Sequence, residues 1–380
     1  MKTSKKLSLG IGVLLFAVML FSSIQPGSAV TPPTRTTDTM RDDGYHYVSD
    51  KLAPKVVSGL YTENWYFEFR SDELTFYMSF EVNNPAETPG APLAAVAYSY
   101  CSIIIDNEIV VDESGRTTPY ALSEFSASPD KLDVKVANNY AKALSMDIIV
   151  TAGTDRDAGI SWDLVFDRAD GAPQTYIHNT QMGIYQTDLM NWFSMMPSAR
   201  VTGVVTWNGM TWNVDCDEGY HDHNWGDTKT FTLNPWSKFF AKDGQTSLLV
   251  SGIIVPNPMT YKVVSDFFFV YINGQSEKMK MTTMEYLDFA VDPVTGMMYL
   301  STFHVVLENE RYLIDYVADD GDNPFFGTVE PYAGYMLFFQ NALSYRADGM
   351  LYTRQGNNVK SLVPLMDFSV YSTVEQLIIQ

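Results

Sequence analysis

Residues 204–212 read Val-Val-Thr-Trp-Asn-Gly-Met-Thr-Trp, and this stretch decides the class of fold. β-Branched and aromatic residues flank Asn208-Gly209, and an Asn-Gly pair supplies the two positive-φ positions that a type I′ hairpin requires. The stretch therefore predicts two antiparallel strands joined by a two-residue turn.

Strand patterns continue on both sides of this hairpin. Trp65, Phe67 and Phe69 alternate with polar or amphipathic residues, as in a strand with one apolar face. Long helical periodicity is scarce, and residues 138–146 and 187–195 are each expected to form a short helix. The sequence predicts an all-β protein with short helical connections, and this spacing of strands suits barrels or sandwiches.

Length and charge restrict the architecture and the partners. The chain has 380 residues, which is too long for one ordinary β-barrel and comfortable for two domains. Its net charge is −20, and such a surface repels phosphate backbones and anionic membranes. We expect no nucleic-acid partner.

The N-terminal residues have the pattern of an export signal. Lys2, Lys5 and Lys6 precede an apolar run over residues 7–21, and small residues at 26–29 offer a cleavage site. Residues 1–29 are therefore predicted to be a signal peptide, which makes the mature protein secreted or extracytoplasmic. The alternative is an uncleaved N-terminal anchor. No transmembrane segment is expected in the mature chain.

The segment after the predicted signal peptide is expected to be flexible. Residues 30–44 are polar and rich in Pro and Thr, and we expect a flexible leader.

Cys101 and Cys216 are the only two cysteines in the sequence. They are expected either to form a disulfide in an oxidising compartment or to remain as two buried free thiols.

The segment with the densest set of ionisable side chains is residues 215–227, which contains two of the five histidines and five carboxylates. In an extended chain, alternation places His221, His223 and Trp225 on one face. The opposite face then carries Tyr220, Asp222 and Asn224. A carboxylate beside an imidazole fixes its tautomer and raises its basicity, so this set could bind, orient or protonate an apolar ligand.

Two other interpretations of this segment remain open. The His-x-His pair could hold zinc, but no third and fourth ligand follows at a common spacing, so we expect no metal and no cofactor. Alternatively, Asp222 and His223 are structural and hydrogen-bond buried backbone groups where two barrels meet.

The motif itself resembles a known signature. Residues 219–226, Gly-Tyr-His-Asp-His-Asn-Trp-Gly, resemble the Gly-Tyr-x-Asp-His-Asn-Trp-Gly signature of the AttH-like and hydroxyneurosporene synthase (carotenoid hydratase) family. Residues 63–66, Glu-Asn-Trp-Tyr, are similar to the family's Glu-Trp-Trp-Tyr element, with Asn64 in place of one Trp. Residues 200–203 and the Asn-Gly hairpin precede the motif in the order seen in that family.

The resemblance implies two consecutive lipocalin-like antiparallel β-barrels. It places the first domain at residues 45–215 and the second at 216–380, with the motif at the start of the second domain. A ligand cavity is expected near the junction, since barrels of this size can hold one small ligand. The candidate ligand-binding residues are Tyr220, His221, Asn224, Trp225, Glu63, Trp65 and Tyr66.

The resemblance also implies apolar, unsaturated ligands. In carotenoid hydratases the strand after the motif carries a Tyr and an Asp implicated in protonating a double bond, whereas residues 247–254 here contain neither. We therefore expect an exported protein that binds an isoprenoid, polyene or lipid. The alternative is an enzyme (a cyclase, isomerase or hydratase of a polyene) with Asp222 and His223 as the candidate acids. Carotenoid hydration itself is not expected. The sequence does not predict the oligomeric state.

Overall fold

The computed structural model describes most of the chain between Thr36 and Ile379. The described residues are 36–37, 40–49, 61–91, 93–105, 108–111, 118–168, 175–176, 178–181, 189–227, 236–256, 263–291, 298–320, 327–332, 335–354 and 361–379. The predicted signal peptide, residues 1–29, lies outside them. No helix within these ranges is long and apolar enough to cross a membrane.

The first part of the described chain contains fifteen strands. They are β1 (Thr36–Thr37), β2 (Tyr61–Arg70), β3 (Thr75–Asn83), β4 (Val96–Ile105), β5 (Glu108–Val111), β6 (Tyr120–Ala121), β7 (Phe125–Ala127), β8 (Asp133–Val136), β9 (Asn139–Ala143), β10 (Ile148–Asp155), β11 (Ile160–Arg168), β12 (Thr175–Tyr176), β13 (His178–Gln181), β14 (Leu189–Trp207) and β15 (Met210–Asp227). All of these except β1 and β12 form one thirteen-stranded sheet. Eleven of its strands follow the order β5-β4-β3-β2-β15-β14-β11-β10-β9-β8-β7, while β6 pairs with β4 and β13 pairs with β14. Its described neighbours are antiparallel, as the sequence predicts.

The first sheet curls so that β4 approaches β8 and β10. Polar contacts bridge this gap where backbone pairing stops. Asn139 Nδ2 donates to Ser99 Oγ over 3.0 Å, and the Cys101 amide donates to Asp155 Oδ2 over 3.3 Å. The interior is filled by buried apolar side chains, among them Phe67. The sheet is thus a nearly closed barrel with a packed core.

The second part contains ten further strands. They are β16 (Trp236–Lys242), β17 (Ser247–Pro256), β18 (Val263–Ile272), β19 (Gln275–Glu277), β20 (Lys280–Val291), β21 (Met298–Glu308), β22 (Tyr312–Asp319), β23 (Gly327–Tyr332), β24 (Tyr335–Arg354) and β25 (Leu362–Ile379). They form a second antiparallel sheet, in which nine strands follow the order β19-β18-β17-β16-β25-β24-β22-β21-β20 and β23 pairs with β24. It has its own core, which includes Phe239, Phe303 and Tyr345.

The predicted hairpin is confirmed. β14 and β15 are antiparallel partners, and the pair nearest the turn is Trp207 with Met210. The turn residues Asn208 and Gly209 have φ of 49° and 78°. Both values lie in the left-handed region, which Asn and Gly tolerate better than other residues. The local sequence therefore fixes this turn without tertiary help.

The predictions of short helices at 138–146 and 187–195 are wrong. Residues 139–143 form β9, where the exposed Tyr140 lies between the buried Asn139 and Ala141 in a period of two. Residues 189–195 begin the long strand β14. Pairing with neighbouring strands outweighs the weak helical preference of these short segments. The described helical turns lie at Met40–Asp43, His46–Ser49 and Leu122–Glu124.

Two boundaries in the structure differ from those placed on the sequence. β15 continues without a break to Asp227 and lies wholly in the first sheet, so the sheets divide between Asp227 and Trp236 rather than after residue 215. Asp42 and Asp43, placed in a flexible leader, are buried in a short 3-10 turn. Polar residues are buried there because they have partners in the barrel.

Candidate functional site

β15 carries polar groups to two separate places. His221, His223 and Trp225 point into the first barrel, where they are fully or almost fully buried. Tyr220 and Asp222 point to the other side of the strand, towards the second sheet. The predicted alternation of the motif is therefore correct. It separates the two candidate acids, Asp222 and His223, onto opposite faces.

Inside the barrel, Asp43, Glu63, His221 and His223 form a group that we call the barrel cluster. His221 Nε2 lies 2.8 Å from Asp43 Oδ2, and His223 Nε2 lies 2.9 Å from Glu63 Oε1. His223 Nδ1 lies 3.4 Å from Asp43 Oδ1. These three ion pairs join side chains that are wholly inaccessible to solvent.

Glu63 holds the backbone of His46 and Tyr47 against the barrel. Its carboxylate accepts hydrogen bonds from the His46 amide over 2.7 Å, the Tyr47 amide over 3.2 Å and the Tyr61 hydroxyl over 2.6 Å. With His223 as the fourth partner, both of its oxygens are fully engaged. Four hydrogen-bonding partners hold the Glu63 side chain in one position.

Aromatic rings enclose the imidazoles. The stacked pairs are Trp65–His223 with centroids 4.6 Å apart, Phe67–His221 at 4.0 Å and His46–Trp225 at 3.7 Å. The Trp65 indole also donates to the Asp43 carbonyl over 3.2 Å. Such stacking favours a cationic imidazole over an aromatic face, in the same way as other cation–π contacts.

Hydrogen bonding orients the His221 ring in the barrel cluster. His221 Nδ1 lies 2.8 Å from the carbonyl oxygen of Tyr66, which can only accept, while its Nε2 lies 2.8 Å from the Asp43 carboxylate. Both ring nitrogens of His221 therefore face oxygen atoms that accept hydrogen bonds. Burial favours an uncharged Asp43, but the His221 charge and hydrogen bonds from both histidines outweigh it and lower the Asp43 pKa.

The pKa of His223 is set by the same kinds of interaction. Burial lowers the pKa of an imidazole, but hydrogen bonds to Asp43 and Glu63, together with their charges, reverse this and raise the His223 pKa above its ordinary value of 6.5. The barrel cluster thus pairs two carboxyl groups with two imidazoles, an arrangement that can either lock the structure or retain a proton for transfer.

The opposite face of β2 and β15 meets the second sheet. Tyr66 and Tyr220 pack with Leu249 and Tyr271 of β17 and β18. The Tyr220 hydroxyl donates to Asp222 Oδ2 over 2.7 Å, and Asn224 Nδ2 donates to Asp222 Oδ1 over 3.2 Å. Asp222 is therefore held among its own neighbours on β15.

A buried ion pair crosses between the two sheets. Lys238 Nζ lies 3.2 Å from Glu68 Oε2 and 4.3 Å from the centre of the Tyr220 ring. The same Glu68 oxygen accepts from the Tyr66 hydroxyl over 3.0 Å. Burial lowers the Lys238 pKa, although Glu68 acts in the opposite direction. The sequence analysis missed Lys238 and Glu68, because neither belongs to a motif.

A cleft of about 680 Å³ lies between the sheets, beside this ion pair. Pro197, Phe240, Leu249 and Tyr271 contribute apolar surface, and charged residues including Arg200 and Lys242 contribute polar surface. Ser247 and Leu249 of β17 line it too, so the segment that follows the motif, in which Tyr and Asp are absent, contributes a wall of the cleft.

The predicted ligand-binding residues are divided between these two places. Glu63, Trp65, His221 and Trp225 lie on the barrel side, whereas Tyr66, Tyr220 and Asn224 lie on the side of the second sheet. Asp43 completes the barrel cluster, and no sequence signal distinguished it from its polar neighbours.

Metal ligation and disulfide formation were both weighed for this region. Within the described ranges, no group of three or more His, Cys, Asp or Glu side chains is arranged to hold a metal ion. Cys101, which is buried, and Cys216, which is half-buried, do not form a disulfide. Burial raises the pKa of the Cys216 thiol to about 11, which keeps it protonated and unreactive at neutral pH.

Comparison with solved structures identifies the fold. An AttH protein from Nitrosomonas europaea has a TM-score of 0.54 at 12% identity, covering 91% of this chain and 98% of that chain. CghA with Sch210972 has a TM-score of 0.56 at 12% identity over 93% and 94% of the two chains. Kievitone hydratase from Nectria haematococca has a TM-score of 0.51 at 17% identity over 94% and 98%.

These likenesses confirm the lipocalin-like fold expected from residues 219–226 and extend it over nearly the whole chain. No protein-family profile matches the sequence, and no curated protein does. At such low identity the shared property is the fold, and one fold supports many functions.

Proposed function

We propose that this protein binds one mainly apolar, unsaturated small molecule in the cleft between its two sheets. The observation that carries the proposal is the cleft itself, whose volume of about 680 Å³ lies within the usual range of small-molecule sites. It lies at the junction where the sequence places a ligand cavity.

The lining of the cleft suits an apolar body with some polar substituents. Phe240, Leu249 and Tyr271 offer aromatic and aliphatic contact surface. The cations at the rim are balanced by carboxylates, since Arg200 pairs with Asp215 and Lys242 lies 3.5 Å from Asp217. A neutralised rim does not select a highly charged ligand, so burial of apolar surface is the main driving force.

The solved relatives and the N-terminal pattern support this function. CghA has been captured with the small molecule Sch210972, so a chain of this fold can accommodate a ligand of that kind. Export, predicted from residues 1–29, belongs to the same proposal. It would place a carrier or sensor where lipids and isoprenoids must cross water.

Diphenylhexatriene, an apolar polyene that fluoresces when removed from water, provides the test. The full chain is expected to bind it saturably at one molecule per chain. Leu249→Trp, which places a larger ring in the cleft, is expected to weaken binding at least about tenfold. Leu287→Trp is the matched control, because Leu287 is exposed on β20, outside the cleft. Unsaturable binding, or equal binding by both variants, contradicts the proposal.

A second candidate function is acid catalysis on an unsaturated substrate, with Asp222 or His223 as the acid. It is favoured by the raised pKa of His223, whose ring stacks on Trp65 with its centroid 4.8 Å from Trp225. A proton held beside apolar rings is suited to an alkene. Kievitone hydratase, which shares the fold, is a hydratase by name.

Because Asp222 and His223 face opposite sides of β15, single variants separate two positions of the substrate. Loss of turnover in Asp222→Asn with retained folding places the reaction between the sheets. The same result for His223→Gln places it inside the barrel. A fall in melting temperature without an effect on turnover assigns both residues a structural role.

A further inference from the structure

A small recess adjoins the cleft and lies at the buried ion pair. It holds about 20 Å³, and Pro197, Phe240 and Leu249 line both the recess and the cleft. This space is comparable to that of one water molecule. The recess is therefore a polar extension of a larger and partly apolar site.

Five charged side chains line the recess. Glu68 and Arg70 come from β2, Asp217 and Glu218 come from β15, and Lys238 comes from β16. Glu68 pairs with Lys238 across the sheets, and Glu218 lies directly opposite Arg70 in the pairing of β15 with β2. Donors and acceptors from both sheets thus converge on a volume that admits a single polar atom.

We propose that this recess receives a carbonyl oxygen at the polar end of the ligand, with Lys238 and Glu218 as the hydrogen-bond donors. This inference rests on the proposed function and narrows its ligand to an apolar molecule that ends in an acid, ester, aldehyde or ketone group. The hydrocarbon body fills the cleft, and the oxygen occupies the recess.

The chemistry of these groups supports an acceptor oxygen. An ammonium donates up to three hydrogen bonds and accepts none, so the Lys238 end of the recess favours a ligand oxygen. If Glu218 holds a proton, the charges of Arg70, Lys238 and Glu68 sum to one positive charge, and the remaining charge, Asp217, is balanced by Lys242 at 3.5 Å. A carbonyl dipole is attracted to such a site with its oxygen foremost.

The surroundings of Glu218 favour its protonated form. Burial raises the Glu218 pKa, and the negative charges of Glu68 and Asp72 act in the same direction, while Arg70 and Lys238 oppose them. Asp217, which also lines the recess, lies near Lys242. A carboxyl group that stays protonated in a recess can act as a donor to a carbonyl oxygen.

The test compares three probes with the same polyene body on the full chain. They are diphenylhexatriene, its propionic acid derivative and the methyl ester of that derivative. The two carbonyl probes are expected to bind about tenfold more tightly than the hydrocarbon, since hydrogen bonds to charged groups in buried sites have about that effect. Lys238→Gln and Glu218→Leu are each expected to reduce this preference to within about twofold, with the affinity of the same variant for the hydrocarbon as the reference.

A pH series with the methyl ester, which has no titrating group, tests the role of Glu218. Its affinity is expected to fall as the pH rises and Glu218 loses its proton. Glu218→Gln keeps a neutral donor and is expected to abolish this pH dependence. Glu310→Gln, at an exposed position outside the recess, is the matched control and is expected to keep it.

The outcomes separate this inference from the proposed function. Saturable binding of all three probes with equal affinity overturns the carbonyl recess and leaves the cleft intact as a binding site. A carbonyl preference that survives both Glu218→Leu and Lys238→Gln also overturns it. Failure of every probe to bind overturns the proposed function itself. If Lys238→Gln does not fold, the Glu218 variants still decide the question.

Discussion

His223 Nε2 lies 2.9 Å from Glu63 Oε1, and this contact joins two residues that are 160 positions apart in the chain. The same carboxylate accepts the backbone amides of His46 and Tyr47. Asp43, next to that segment, holds His221 and lies near His223. The barrel cluster therefore holds residues 43–47 against the barrel and also holds the two histidines of the motif in place.

We expect His223→Gln to destabilise the protein by about 3 kcal/mol. Removing one member of a buried ion pair leaves its partner charged and poorly solvated, which typically costs that much. Unfolding in urea measures the change. His304→Gln is the control, because His304 pairs with Asp315 at a partly exposed position, where ion pairs contribute little. Equal effects of the two changes would contradict the role assigned to the barrel cluster.

The free energy of unfolding is also expected to fall at acidic pH and at alkaline pH. The His223 pKa is raised in the folded state, so its contribution is full below the ordinary value of 6.5 and is lost as the pH rises through the folded value. The Asp43 pKa is lowered, so its contribution is full above the ordinary value of 3.8 and is lost as the pH falls through the folded value.

Thermal unfolding measured from pH 3 to pH 9 tests both the alkaline loss of stability expected from His223 and the acidic loss expected from Asp43. Native protein is expected to be most stable between about pH 4 and pH 6.5 with respect to these two groups. His223→Gln should flatten the decline on the alkaline side. It should reduce the decline on the acidic side without removing it, because His223 is one of the two histidines that lower the Asp43 pKa. An alkaline decline of unchanged size in the variant would show that another group causes it.

The sequence predicted much of the fold because local rules govern it. Asn208-Gly209 requires a tight turn whatever surrounds it, and the period of two in Trp65, Phe67 and Phe69 requires one apolar face. Alternation also placed His221 and His223 together correctly. In these cases the controlling interaction lies within a few residues of the signal.

The errors come from interactions between distant segments. Asp43 resembles an ordinary leader residue, and it is buried because His221, 178 positions away, forms a hydrogen bond with its carboxylate. Lys238 lies in a short strand without a motif, and Glu68 lies 170 positions before it, so no local pattern links them. Residues 139–143 favour a helix weakly, and pairing with two neighbouring strands overrides that preference.

We expect Gly219→Ala to destabilise the protein by about 1–3 kcal/mol, as overpacking in a tight core does. A Cβ at Gly219 would lie 2.3 Å from Val201 Cγ2 and 2.8 Å from the carbonyl oxygen of Ala199. β14 and β15 must then separate at the start of the motif. Gly244→Ala is the control, since a Cβ there meets no atom within 4 Å, and it should unfold like native protein.

The ion pair between Glu68 and Lys238 is expected to behave as a unit. Glu68→Met or Lys238→Met should each destabilise the protein by about 3 kcal/mol, because each leaves one charge buried without its partner. The double variant should recover most of this loss, since it buries no charge. A double-mutant cycle by chemical unfolding measures the coupling. Additive losses would show that the two residues do not depend on each other.

Native mass spectrometry of protein purified from its own host, followed by organic extraction, tests the central claim most directly. The account predicts one apolar molecule per chain, released on denaturation and absent from Leu249→Trp. Identification of a carbonyl group on that molecule would agree with the recess beside Lys238. Protein that carries no such molecule and also fails to take up diphenylhexatriene would contradict the assignment of the cleft as a binding site.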